Sequence, residues 1–258
     1  IEVSLTALPA NVFVGIVFFK DLKSAIDFTM EAYYEPAYKA TSMEFMDHAC
    51  LEMIRPKAKG IAIPADARVM VYFEQEYDDD SEKDRWLNRW FPLIEKHTPF
   101  SDDTQIAANR KQKNHLLDLR HHVPSRTNEE SIKAVKTGGC KISTDWAVPH
   151  NRLHHLFEYF EEIRGPLGDM MVTRFGHMGS GHPHFNFIAR TREEKIMASR
   201  IDDLMAKKAV ALGGCVSAEH GIGKMKRRHL PLQYPPAIIG AMKAIKKELD
   251  PTGIMAPG

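Results

Sequence analysis

Three histidines and three glycines are packed into the nine residues Gly176-His177-Met178-Gly179-Ser180-Gly181-His182-Pro183-His184, followed by Phe185 and Asn186. If Ser180-Gly181 is the turn of a hairpin, His177 and His184 face each other across its two strands, and imidazoles so held are ready metal ligands. A second dense stretch runs from Gly213 to Gly223, with Glu219 and His220 adjacent and bracketed by glycines that let the backbone approach a ligand closely. A carboxylate added to two imidazoles makes a His2Glu set suited to zinc, manganese or iron(II). A histidine not used as a ligand would be available for acid/base work near neutral pH. A glycine-rich hairpin with merely hydrogen-bonded histidines, and an exposed polar loop, are the plain alternatives.

Other candidates carry less pattern. Arg120 stands beside His121 and His122 on a polar helix, where a solvated face explains it as well. Lys224, Lys226, Arg227 and Arg228 form a basic run, of which one member could meet a carboxylate or phosphate. Trp86, Trp90 and Phe91 read as core. There is no G-x-G-x-x-G opening a helix, no Walker loop, no H-E-x-x-H and no G-x-S-x-G.

The elements that must position these residues alternate between two periodicities. Strands are expected over 12–19, 40–46, 67–73, 140–146, 170–175 and 184–189. Helices are expected over 21–34 with Asp21 as N-cap, after the loop Asp78-Asp79-Asp80-Ser81, over 103–122 with Pro124 as its stop, and over 150–164, 193–212 and 236–249. The irregular order of strands and helices predicts an α+β fold, an antiparallel sheet with helices packed mainly on one face.

Composition limits the function classes. The chain has 258 residues, and 35 Lys+Arg against 34 Asp+Glu leave a formal charge of +1, without the basic excess of a nucleic-acid binder. Cys50, Cys140 and Cys215 are an odd number with no C-x-x-C spacing, which suits a reducing, cytoplasmic compartment. No run approaches the 18 or so apolar residues of a membrane span. The start, Ile1-Glu2-Val3-Ser4-Leu5, reads as a strand entered midway rather than a signal peptide, as in a piece of a longer protein.

The stretches GHMGSGHPHFN (176–186), GGCVSAEHGIGKMK (213–226) and KKELDPTGIMAPG (246–258) together resemble the C-terminal half of FAD-linked D-2-hydroxy-acid dehydrogenases and oxidases. These are the D-lactate dehydrogenase, glycolate oxidase and D-2-hydroxyglutarate dehydrogenase relatives of the vanillyl-alcohol oxidase superfamily. Weaker similarity runs through SMEFMDHACLEM (42–53), LLDLRHHVP (116–124) and KISTDWAVPHNRL (141–153), so the resemblance covers essentially the whole chain, 1–258.

The resemblance implies a ferredoxin-like cap domain with a large antiparallel sheet. It implies that His177, His184 and Glu219 bind a divalent metal (Zn, Mn or Fe(II)) and that His220 takes the substrate hydroxyl proton. Arg120 and Asn186 would hold the substrate, Arg120 by its carboxylate, and Lys141 corresponds to a second carboxylate contact. The implied reaction oxidises a D-2-hydroxy acid, lactate- or glycolate-like, to the 2-oxo acid, with hydride passing to FAD. The FAD would be bound mainly by an N-terminal domain or subunit absent from this chain. An electron-acceptor protein is a further partner, through which the protein could sit at the inner membrane. Three departures stand out: Ser180 and His182 replace the usual acidic residue and Asn of the glycine-rich turn, Ala256 stands where Asn commonly precedes Pro-Gly, and the family's FAD-binding domain is absent. A His2Glu metallohydrolase and a non-catalytic binding module of the same fold are the other readings of these residues.

Overall fold

The computed structural model describes residues 3–5, 7–36, 38, 40–58, 60–79, 81–107 and 109–255. The readings that fall on Ile1, Glu2, Asp80 and Ala256 lie outside them. The chain forms two compact units, one of Ile1–Ser131 with Thr173–Gly179, the other of Ile132–Val172 with Ser180–Gly258.

The first unit is built on strands β1 (Asn11–Phe19), β2 (Ala40–Met46), β3 (Val69–Tyr77), β4 (Gln105–Ala107) and β6 (Met171–His177), in the order β4-β1-β3-β2-β6. The β1–β3, β1–β4, β2–β3 and β2–β6 pairs are all antiparallel. With α1 (Leu22–Tyr34) between β1 and β2 and α3 (Glu82–His97) between β3 and β4, the order 4-1-3-2 is the ferredoxin-like arrangement. Asp21 caps α1 as expected, its side chain accepting the Ser24 amide at 2.8 Å.

Helices α1 and α3 share one sheet face, where Phe28 and Trp90 meet Phe19 and Phe73. Gly15 stands opposite Phe73 because a Cβ there would lie 2.1 Å from the Phe73 ring. The other face is covered too, by α2 (His48–Ile54) and the first half of α4 (Arg110–Lys136): Val14, Ile16 and Phe18 pack with Leu51, Ile54, Leu116 and Leu119. Strand β1 is apolar on both sides, so one layer of helices would have left half of it wet. Phe91, one step round the helix from Trp90, is 37% exposed, unlike Trp86 and Trp90.

The helix expected over 103–122 begins at Arg110 instead and runs through Pro124 to Lys136. The preceding residues form a short 3-10 turn and β4. A proline removes one backbone donor, and here Val123 and Thr127, both buried, anchor the helix on either side of it. The Ser125 hydroxyl donates to the His121 carbonyl beside the break.

In the second unit β5 (Cys140–Ser143) pairs antiparallel with β7 (His182–Ala189), and helices α5 (Leu153–Ile163), α6 (Arg192–Ala211), α7 (Leu230–Gln233) and α8 (Pro236–Leu249) follow the expected order, with α7 added. Helix α6 ends in a Schellman motif: Gly213 (φ +85°) donates to Val210 O and Gly214 to Ala209 O, each at 2.9 Å. No helix among the described residues is long and apolar enough to cross a membrane.

Candidate functional site

In the first unit a single buried carboxylate, Glu44 on β2, organises two of the expected residues. Its Oε1 lies 2.7 Å from His177 Nδ1, at the end of β6, and 3.0 Å from the Arg120 guanidinium on α4. Burial opposes ionisation of Glu44, but His177 and Arg120 together hold its carboxyl below the usual range. The Arg120 guanidinium also lies over the Tyr72 ring, 5.9 Å from its centroid. Burial and the Tyr72 hydrogen bond to Glu74 keep that phenol protonated.

In the second unit the period of β7 decides which residues share a face. His182, His184 and Asn186 alternate with Phe185 and Phe187, and the two phenylalanines are fully buried, Phe185 against Trp146 and Phe157. Cross-strand pairing adds Lys141 and Ser143 of β5 to the histidine face, opposite Ile188 and Asn186. Asn186 accepts from the Ser143 hydroxyl at 2.7 Å, and its buried Nδ2 has no hydrogen-bond partner among the described residues. Burial pulls the Lys141 ammonium below its ordinary range.

The expected Glu219 and His220 do reach this face. His184 Nδ1 lies 3.3 Å from Thr144 O, while its Nε2 lies 3.0 Å from Glu219 Oε1. His220 Nε2 is 3.2 Å from the same oxygen, and the His184 and His220 rings stack at 5.2 Å. His182 is buried beside them, its ring centroid 4.4 Å from that of His184.

A residue that pattern reading passed over holds the loop in place. The Asp145 side chain is 0% exposed and accepts the Glu219 and His220 backbone amides at 3.3 and 3.1 Å, the Ser217 hydroxyl at 2.5 Å and the Lys226 ammonium at 2.6 Å. Its Oδ1 also lies 3.2 Å from His182 Nε2 and 3.3 Å from His220 Nδ1. Burial would push the carboxyl up; Lys226, Ser217 and the Glu219 amide overcome it and hold it at about 2. Neither Asp145 nor Glu44 has a telling neighbour in sequence, and only their place inside KISTDWAV and SMEFMDH singles them out.

Two glycines allow the backbone to close around this site. A Cβ on Gly214 would lie 1.9 Å from Ala147 O, and one on Gly181 (φ +69°) 2.0 Å from Val148 O. Gly214 thereby permits the bridge between Ala147 and Cys215 that brings the 217–226 loop over Asp145.

Comparison with known proteins identifies the family. Residues 8–258 match the family described as FAD linked oxidases, C-terminal domain. The chain is 26% identical over 224 residues to the glycolate oxidase subunit GlcD of Bacillus subtilis, covering 84% of this chain and 44% of that protein. It is 25% identical over 260 residues to the mitochondrial D-2-hydroxyglutarate dehydrogenase of Arabidopsis thaliana, covering 99% of this chain and 44% of that one. The chain thus spans under half the length of these relatives. Among solved structures, 4-ethylphenol oxidase from Gulosibacter chungangensis shares the fold, with a TM-score of 0.61 at 13% identity over 97% of this chain and 53% of that one. With the match extending over nearly all of its length, this chain belongs to the family of FAD linked oxidase C-terminal domains.

Proposed function

We propose that the chain is the substrate- and metal-binding part of a flavin-dependent dehydrogenase or oxidase that converts a D-2-hydroxy acid to its 2-oxo acid. The observation that carries the reading is the His184–Glu219–His220 cluster over Asp145. In it, imidazole nitrogens and carboxylate oxygens of four residues converge within 4.8 Å.

The donor set fits a divalent metal. With Nδ1–H of His184 directed at the Thr144 carbonyl, Nε2 faces a carboxylate oxygen at 3.0 Å, an arrangement that a proton or a divalent metal between them would satisfy. His177 has the same outer support in its own unit, Nδ1 against Glu44, so Nε2 is the nitrogen that would coordinate. His184, Glu219 and, through the resemblance, His177 would hold the metal. When bound, the two cofactors would supply a Lewis acid at the substrate hydroxyl and a hydride acceptor for Cα–H. The flavin would be held by a domain outside this chain.

The chain's own residues do the rest. Asp145 Oδ1 lies 3.3 Å from His220 Nδ1, so a proton held there would leave Nε2 to receive the hydroxyl proton, and the ring is 52% exposed. Arg120 offers the substrate carboxylate a guanidinium whose orientation Glu44 fixes. Asn186 and Lys141 share the histidine face and add a donor amide and an ammonium for the acid's oxygens. Membership of a flavin-linked family favours this chemistry over hydrolysis at the same donors.

The test joins the chain to its FAD-binding domain and adds D-2-hydroxy acids anaerobically. Bleaching of the flavin by a D-acid, not by its L-enantiomer, and slowed at least about a hundredfold in His220→Gln, is expected. Equal bleaching in His220→Gln would remove the proposed base.

A further inference from the structure

We propose that His182 is a further metal ligand, so that this site presents a third imidazole beside the expected set. The inference rests on the metal reading above and deepens it. His182 occupies the position where the resemblance leads one to expect an asparagine, so the chain has exchanged a neutral amide for an imidazole at this turn.

Its surroundings are those of a ligand rather than of a filler. The strand alternation puts His182 on the same face as His184, and the side chain is 5% exposed. Nε2 lies 3.2 Å from Asp145 Oδ1, and the ligand atoms of His182, His184 and Glu219 lie within 4.8 Å of one another. Nδ1 points to Glu219 Oε2 at 4.0 Å. That gap is too long for a hydrogen bond, which needs about 2.7–3.2 Å. Two tetrahedral ligands that each reach one ion over about 2.0–2.2 Å stand about 3.4 Å apart, so binding would draw His182 and Glu219 together by roughly half an ångström.

An added imidazole changes which ion the site prefers. Nitrogen-rich sets favour zinc, iron(II) and cobalt, whereas oxygen-rich sets suit manganese and magnesium. His182 would therefore tilt this protein toward zinc-like ions.

The experiment loads purified wild-type protein, His182→Asn and His182→Gln with zinc, counts imidazoles around the ion by X-ray absorption, and measures zinc and manganese affinity by competition. Gln is included because its amide can still reach Asp145 if Asn disturbs the fold; a thermal melt checks both variants. The expected result is one imidazole fewer in the variants, zinc binding weakened at least about tenfold, and manganese affected less. An unchanged imidazole count and unchanged zinc affinity, with His184→Ala still abolishing binding, would reduce His182 to a neighbour of Asp145 and leave the metal reading standing. A wild-type protein that takes up none of zinc, manganese and iron(II) would overturn the metal reading and this inference together.

Discussion

The ammonium of Lys226 lies 2.6 Å from the Asp145 carboxylate, and the same ammonium donates to the Gly221 carbonyl at 3.0 Å. This pair pins both ends of the loop that presents Glu219 and His220. The basic run from Lys224 to Arg228 therefore contains residues with inward tasks: Arg228 donates to the buried Asp202 at 2.8 Å, and Lys226 is 15% exposed where a solvated lysine would be open.

Removing Lys226 alone leaves a buried carboxylate without its cation. Lys226→Met is expected to cost about 3–5 kcal/mol, the usual penalty for breaking a buried pair. The double variant Asp145→Asn, Lys226→Met should recover part of that loss, since the orphaned charge is gone. Denaturant unfolding of the two single variants and the double one gives the coupling. Additive losses would contradict a direct pair.

Glu44 serves two partners, so its loss should be felt twice. Glu44→Gln keeps the shape but removes the charge that faces Arg120 and His177. The expected stability cost is about 1.5–3 kcal/mol, and metal affinity should fall about 10–100-fold if His177 is a ligand. Calorimetric melting and zinc competition read the two effects separately. A stability loss with metal affinity unchanged would assign Glu44 to structure alone.

Gly214→Ala drives a methyl group into the Ala147 carbonyl, 1.9 Å from the built position. Overpacking of this kind costs about 1–3 kcal/mol, and the displaced bridge should carry Glu219 and His220 away from Asp145. Weaker metal binding together with the lower melting temperature is the expected signature. Gly138→Ala, at positive φ (+85°) but with nothing within 4 Å, should lower stability without touching metal binding.

The C-terminal end of α8 carries an acid-sensitive tie. Asp250 is bound by Lys246 and accepts the amides of Ile254 at 3.0 Å and Met255 at 3.1 Å. The Lys246 hydrogen bond above all holds its carboxyl below the ordinary range. A depressed folded-state value means that the stability is present above the unfolded value of about 4 and is lost as pH falls through the folded one. Hydrogen exchange at Ile254 and Met255 should therefore accelerate in that acidic window, and Asp250→Asn should show the fast exchange already at neutral pH. Identical protection in the variant would contradict the tie.

Periodicity carried much of this architecture. The strand over Ala40–Met46 and the helix over Pro236–Leu249 fall at their expected bounds, and Asp21 and Gly213 act as the caps their types suggest. The helix through Pro124 was not legible, because a proline's local cost is outweighed by burial of Val123 and Thr127, which only tertiary packing reveals. In the site, glycine-flanked histidines were legible by density. Asp145 and Glu44 were not: each acts through partners distant in the chain, Lys226 and Arg120 among them, and neither lies in a repeating pattern.

The central claim is that His184 and Glu219 belong to a metal centre. Metal content of the purified protein, measured beside its zinc affinity and compared with a His184→Ala, Glu219→Ala variant that still melts cooperatively, tests it most directly. The account predicts about one zinc-like ion per chain in the wild type and none retained by the variant. A wild-type protein that neither carries nor takes up zinc, manganese or iron(II) would contradict it.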